Sequence, residues 1–185
     1  VRRFVADQRD STFSYAEVGA SKSRLPPGYK HERYRVRLGS GKETFARACA
    51  ALDGWTMFQL GWVRLYDPRT PVGQGATVAL LIRHFGLWSL NASRIVYVFD
   101  EEGPVRAHGF GYGTLMEHAE EGEEKFAIEW HRADDSVWYS VVAFSRPRNV
   151  LARVGYPVTR FLQKRFARDS QRAMVEAVNG SSRGK

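Results

Sequence analysis

The sequence predicts an α+β fold, a curved antiparallel sheet of about six to seven strands packed on a long C-terminal helix. Three observations predict it. Between Phe58 and Phe144 six apolar, aromatic-rich runs follow one another, joined by short turn-forming links, and such spacing favours an antiparallel meander. From Pro157 to about Val178 the periodicity becomes helical. That amphipathic helix has to bury its apolar stripe, and the sheet is the large partner available. A chain of 185 residues with 43% hydrophobic content is long enough for one domain with its own core.

Residues 1–12 and 179–185 are polar and are expected to be flexible ends around one domain spanning 13–178. Ser21 to Gly28, with Pro26-Pro27-Gly28, reads as a loop. Tyr34, Val36 and Leu38 alternate with Arg33, Arg35 and Arg37, the period of a half-buried strand with one basic face. Ser40-Gly41-Lys42-Glu43 has the pattern of a capping box. Phe45, Ala48, Cys49 and Leu52 then share one helical face, and Gly54 is a suitable stop. The six strands follow at Phe58–Tyr66, Ala76–His84, Arg94–Phe99, Val105–Leu115, Glu124–His131 and Val137–Phe144. The third is apolar on both faces, through Ile95, Tyr97 and Phe99 on one and Val96 and Val98 on the other. A cavity, a covering loop or a dimer contact has to hide the second face. A short helical piece is expected from Arg148 to Val154. In the final helix Val158, Phe161, Leu162, Phe166, Ala173 and Ala177 mark the apolar stripe.

The formal charge is +8, and residues 146–185 carry all of it, with ten basic residues against Asp169 and Glu176. Arg160, Lys164, Arg168 and Arg172 recur every fourth residue, so they form a basic stripe that could meet an anionic surface. No base-stacking motif accompanies it, so nucleic acid ranks last among partners, and a membrane surface ranks little higher. The acidic cluster Glu117, Glu120, Glu121, Glu123 and Glu124 is a candidate internal partner. Cys49 is the single cysteine, which excludes an intrachain disulfide and fits a reducing compartment. No apolar run approaches a bilayer-spanning length and no leader-like segment opens the chain, so a cytoplasmic protein is expected. The oligomeric state is not legible.

Gly109-x-Gly111-x-Gly113 lies within a strand and opens no helix, so it is not a dinucleotide fingerprint. Such glycines mark a bulge or the close approach of another group. No cofactor motif is present, and His108, His118, Glu123 and His131 match no metal-ligand spacing. Tyr112, His118, Glu123 and Glu124 bring a phenol, an imidazole and two carboxylates near one bend, a set capable of acid–base work. Alternation along a strand lets at most one of Glu123 and Glu124 point inward. Arg146, in Ser145-Arg146-Pro147, is expected to fix the strand-to-helix corner by reaching a carboxylate such as Glu123. Tyr97, Tyr112, Trp130 and Tyr139 are candidate walls of a small-molecule cavity.

Several motifs carry a resemblance. They are Phe13-Ser14-Tyr15-Ala16-Glu17-Val18-Gly19, Pro27-Gly28-Tyr29, Arg37-Leu38-Gly39-Ser40-Gly41, Gly109-Phe110-Gly111-Tyr112-Gly113-Thr114-Leu115, Gly122-Glu123-Glu124-Lys125-Phe126 and Phe144-Ser145-Arg146-Pro147. Over roughly residues 13–175 the chain resembles an uncharacterised bacterial and plant family, domain of unknown function nineteen-ninety. The order of elements resembles the helix-grip fold of the START and birch-pollen-allergen superfamily. The resemblance implies a fold and a set of positions, and it implies no reaction. The expected function is non-catalytic binding of a small apolar or amphipathic molecule between sheet and helix, by Tyr97, Tyr112, Trp130 and Tyr139 with His118 and Glu123 as a polar end. The alternatives are an enzyme on the same scaffold, performing proton transfer, cyclisation or hydrolysis, and an adaptor that uses the basic helix.

Overall fold

A computed structural model describes residues 2–84, 86–116, 120–148 and 156–180. Its strands are β1 (Lys30–Ser40), β2 (Val63–Leu65), β3 (Thr77–His84), β4 (Leu87–Glu101), β5 (Val105–Thr114), β6 (Glu120–His131) and β7 (Ser136–Pro147). Its helices are α1 (Arg2–Asp7), α2 (Lys42–Asp53) and α3 (Tyr156–Gly180), with single helical turns at Ala20–Lys22 and Thr56–Phe58. All seven strands form one antiparallel sheet in the order β1-β7-β6-β5-β4-β3-β2. β1 leads through α2 to β2 at the far edge, and β2 through β7 then run as a meander that brings β7 back beside β1. The sheet curls around α2 and α3, the helix-grip arrangement.

The inner face follows from alternation. Phe110 and Tyr112 of β5, Phe126, Ile128 and Trp130 of β6, and Val137, Tyr139 and Val141 of β7 are buried in one cluster with α2 and α3. Phe58 is the hinge of this core. Its ring stacks on Phe166 of α3 at 5.4 Å between centroids and meets Phe126 edge-on at 5.6 Å. In α3 the buried positions are Ala167, Asp169, Ser170, Met174 and Val178, and all but Asp169 form a stripe at helical spacing. Its second half therefore packs closely, with Arg47 Nε of α2 donating to the Val178 carbonyl at 3.2 Å. Phe161, expected in the apolar stripe, is 65% exposed.

Other departures from the sequence reading are local. The helix α2 is capped by Gly41 with no side-chain bond, since Ser40 is spent pairing with Ser136 at the end of β1. The strand expected at Phe58–Tyr66 shortens to β2, because Phe58 closes the helical turn Thr56–Phe58. β4 and β6 are longer than expected, and the acidic residues Glu120 to Glu124 lie in a strand. The first residues form α1, followed by Gln8 and Arg9, whose carbonyls accept from the Arg94 guanidinium at 2.8 and 2.7 Å. The short helical piece expected at Arg148–Val154 lies almost wholly outside the described residues.

Two bulges set which way side chains face. In β4, Ile95 pairs with Tyr112 and Tyr97 pairs with Gly111, so Val96 is the extra residue. A bulge shifts alternation by one. Ile95 therefore points to the inner core, whereas Tyr97 and Phe99 point to the outer face. In β1 a second shift falls between Arg37 and Gly39.

Candidate functional site

A cavity of about 680 Å³ lies between the inner face of the sheet and the first half of α3. Close packing in the second half of α3 and looser packing in the first create it. Phe58, Trp62, Leu80, Ile82, Leu162 and Phe166 supply apolar wall. Trp62 is held in place by donating its indole N–H to Asp169 of α3 at 3.0 Å.

The polar end is built by sheet register. Glu32 of β1 pairs with Ala143 of β7, Ala143 with Glu124 of β6, and Glu124 with Tyr112 of β5. Side chains in one such row share a face, so two carboxylates and a phenol stand together on the cavity floor, with Ala143 leaving space between. Tyr112 Oη donates to Glu124 Oε2 at 2.8 Å. Glu120 lines the same end, and its Oε2 accepts from Gln163 Nε2 of α3 at 2.6 Å. Arg160 is bonded to Glu32 and donates to Gln163 Oε1 at 2.7 Å.

Burial dominates the electrostatics. It pushes the Glu124 carboxyl up to about 7, with help from the charges of Glu32 and Glu120 and against the hydrogen bond from Tyr112. Burial likewise raises Glu120 to about 7, opposed by the Gln163 hydrogen bond. The Tyr112 hydroxyl is held well above its ordinary value by burial and by Glu124, so it acts as a donor. Tyr34, also in the lining, rises to about 12 through burial and the neighbouring Glu32. Two carboxyls poised near neutrality beside a phenol can bind a polar group, hold a proton or transfer one.

The structure redistributes the residues expected at this site. Tyr112 is in the cavity. Glu124, weighed above only as one of a pair, is the inward member. Glu123 borders the cavity in β6, but its carboxylate belongs to the outer face. Glu123 is 3% exposed. Oε2 accepts from Tyr15 Oη at 2.6 Å and from the Gly19 N–H at 2.7 Å, and Oε1 from the Ser21 N–H at 2.9 Å and from Ser21 Oγ. Tyr97 is also on the outer face, with its hydroxyl 2.6 Å from Ser21 Oγ. The glycines explain the close approach. A Cβ on Gly113 would lie 2.0 Å from Tyr15 Oη, and one on Gly111 would lie 2.4 Å from the Tyr97 ring. The segment from Phe13 to Ser21 is thus the covering loop that the doubly apolar strand required.

Trp130 and Tyr139 are core rather than wall. Trp130 packs on Phe45 and donates to Asp135 Oδ1 at 2.8 Å, and Tyr139 is fully buried. His118 lies outside the described residues. Arg146 reaches Glu121 in place of Glu123 and stacks over Tyr29 at 4.3 Å. Along the basic stripe Arg160 turns to the cavity rim and Lys164 is exposed. Arg168 and Arg172 approach Asp169 at 3.2 and 3.9 Å while remaining largely exposed. Burial raises the Cys49 thiol to about 12, which suits a packing role. Among the described residues no group of three or more His, Cys, Asp or Glu side chains is arranged to hold a metal ion, and no helix is long and apolar enough to cross a membrane.

The signals for the missed residues were partly present. Glu120 and Glu32 could have been placed by extending β6 and β1 and reading the cross-strand row. Gln163 carries no signal of its own, because its role depends on how α3 is rotated.

Comparison with known proteins agrees with this architecture. A family model described as "Domain of unknown function (DUF1990)" matches residues 14–173. A UPF0548 protein of Deinococcus radiodurans is 42% identical, over 96% of this chain and 93% of its own length. One of Dictyostelium discoideum is 36% identical, over 98% and 92%. Among solved structures, the Zhui aromatase/cyclase from Streptomyces superposes with a TM-score of 0.54 at 13% identity, covering 84% of this chain and 97% of that one. That likeness shows a shared fold.

Proposed function

We propose, from the premise that the chain belongs to the DUF1990 family, that it binds a small amphipathic molecule between the sheet and the first half of α3 and releases it unchanged. One observation carries this reading. A hollow of about 680 Å³, apolar along most of its wall, ends in Glu120, Glu124 and Tyr112. That size and that mixture suit a molecule with a hydrophobic body and one polar group. Dispersed core packing does not leave such a volume unfilled without a large loss of contacts.

Native mass spectrometry of protein purified from cells is expected to show a bound mass of small-molecule size. The variant Ala143→Phe projects a ring into the space between Glu32 and Glu124. It is expected to remove that mass and to lower the affinity for an added apolar dye at least tenfold. Its stability should stay within about 1 kcal/mol of the parent, because the ring fills a void. Equal occupancy in parent and variant would place the ligand elsewhere.

A second reading is acid–base catalysis in the same hollow. The observation favouring it is that Glu124, raised to about 7, shares a hydrogen bond with Tyr112, an arrangement able to exchange a proton with a bound molecule. The shared fold with an aromatase/cyclase is compatible with either reading. The two separate on one measurement. A bound molecule recovered unaltered after long incubation supports binding, and a changed mass supports catalysis.

A further inference from the structure

We infer that the polar end of this cavity selects a neutral hydroxyl group, so that the ligand is a hydroxylated apolar molecule that donates its O–H to Glu124 and lays its body against Phe58, Trp62 and Phe166. The inference rests on the binding reading above and adds to it the kind of polar group the ligand carries.

Hydrogen-bond accounting at Glu124 supplies the argument. Its side chain lines the hollow. Oε2 accepts the Tyr112 hydroxyl at 2.8 Å, and that is the one hydrogen bond the carboxyl receives from the described residues. Oε1 therefore keeps its acceptor capacity for a molecule that enters. Tyr112 has a single hydroxyl proton and spends it on Glu124, so toward a ligand its oxygen can only accept. The pair thus calls for a donor. An ether or ketone in the same place would cover Oε1 with no proton to give it, and a carboxylate stripped of water without a replacement bond is costly. A site built around such a bond rejects analogues that lack the donor.

The surrounding charges favour a neutral donor over an ammonium group. Arg160 is bonded to Glu32, Lys30 lies 3.7 Å from the same carboxylate, and the charges of both act on Glu120. The protein thus sets two cations of its own against the two carboxylates that flank Glu124. Glu124 is raised to about 7, so near neutral pH it is present in both forms. A hydroxyl fits both, because it donates to the carboxylate and its oxygen accepts from the carboxylic acid. An ammonium group fits only the ionised form, and an ether only the protonated one. Among the described residues, the titratable and charged groups around Glu124 are Glu32, Tyr34 and Lys30 from β1, Tyr112 from β5, Glu120 from β6, Tyr139 from β7 and Arg160 from α3. Of these only Glu120, also raised to about 7, titrates alongside it. Hydroxyl affinity is therefore expected to change little from pH 6 to pH 8, while an ether loses affinity and an ammonium gains it.

Three naphthalene probes that share one ring system test this: naphthylmethanol, its methyl ether and naphthylmethylammonium. Titration calorimetry of the full chain at pH 8 is expected to rank the alcohol at least tenfold tighter than the ether. The gap should narrow at pH 6, where the Glu124 carboxyl carries a proton that it can donate to either oxygen. At pH 7 the alcohol should also bind more tightly than the ammonium. Glu124→Gln turns the free acceptor into a donor, because its amide oxygen can take the Tyr112 bond and its N–H then meets the ligand. It is expected to erase the alcohol's advantage over the ether at pH 8. A urea midpoint at pH 8 no lower than the parent's certifies that the variant is folded. An ether that binds the parent as tightly as the alcohol, or an advantage that survives in the folded variant, overturns the hydroxyl inference while the cavity reading stands. An ammonium bound more tightly than the alcohol at pH 7 also overturns it, since the site would then select charge. If all three fail to bind, both fall.

Discussion

Glu123→Ala is expected to destabilise the protein by about 4 kcal/mol, read as a lowered urea midpoint, while the cavity keeps its affinity for an apolar probe in the folded fraction. The size comes from what the carboxylate does. It receives the Tyr15 hydroxyl, the Ser21 hydroxyl and the backbone N–H groups of Gly19 and Ser21, all on the outer face. Removing one member of a buried, charge-assisted network leaves the others unsatisfied, which typically costs 3–5 kcal/mol. These bonds hold the segment from Phe13 to Ser21 over the sheet. Tyr15 caps Gly113 there and packs edge-on against Phe144 at 5.6 Å. Loss of the anchor therefore also exposes the outer apolar residues Tyr97 and Phe99. A cost below about 1 kcal/mol would show that the carboxylate is dispensable and that packing alone holds the segment.

This prediction marks where sequence reasoning succeeds and where it stops. The element order, the long final helix and the need to cover a doubly apolar strand were legible, because burial imposes its period on the residues. The glycines at 109, 111 and 113 were legible as sites of close approach, though which groups approach them was not. The site was legible only in part. Alternation stated that Glu123 and Glu124 face opposite ways, but it cannot say which faces in. That choice depends on what covers each face, and the covering segment is about a hundred residues away in the chain. Tyr97 was misplaced for a different reason. A single extra residue, Val96, moves it to the opposite side from Ile95, and a bulge leaves no mark on the hydrophobic pattern. The expected strand begins at Glu124 and omits Glu120, and glutamate is a poor strand former, yet strand pairing with Pro147 and the Gln163 side chain hold Glu120 in β6. Tertiary context overrode propensity at the position where the site needed a carboxylate.

The double variant Glu120→Gln/Glu124→Gln is expected to be more stable than the parent at pH 8, by on the order of 5 kcal/mol, and to match it near pH 4. Both carboxyls rise from 4.5 to about 7 on folding. At pH values below 4.5 the two groups are protonated in both states, and the elevation costs nothing. Between 4.5 and 7 the unfolded chain gives up these protons while the folded chain keeps them, so parent stability falls as pH rises. Above 7 the penalty is complete, about 3 kcal/mol for each group, and less than twice that for the pair because each contributes to the other's elevation. Other carboxyls act in the opposite sense. Asp169, for example, is lowered by Trp62 and Arg168 against its own burial, and it loses stability as pH falls. The comparison therefore has to be the difference between parent and variant, measured as urea midpoints from pH 4 to pH 8. Parallel curves would refute a shared site of elevated carboxyls. A widening gap would identify Glu120 and Glu124 as groups that the fold retains against its own stability, and such retention is characteristic of residues that serve a ligand.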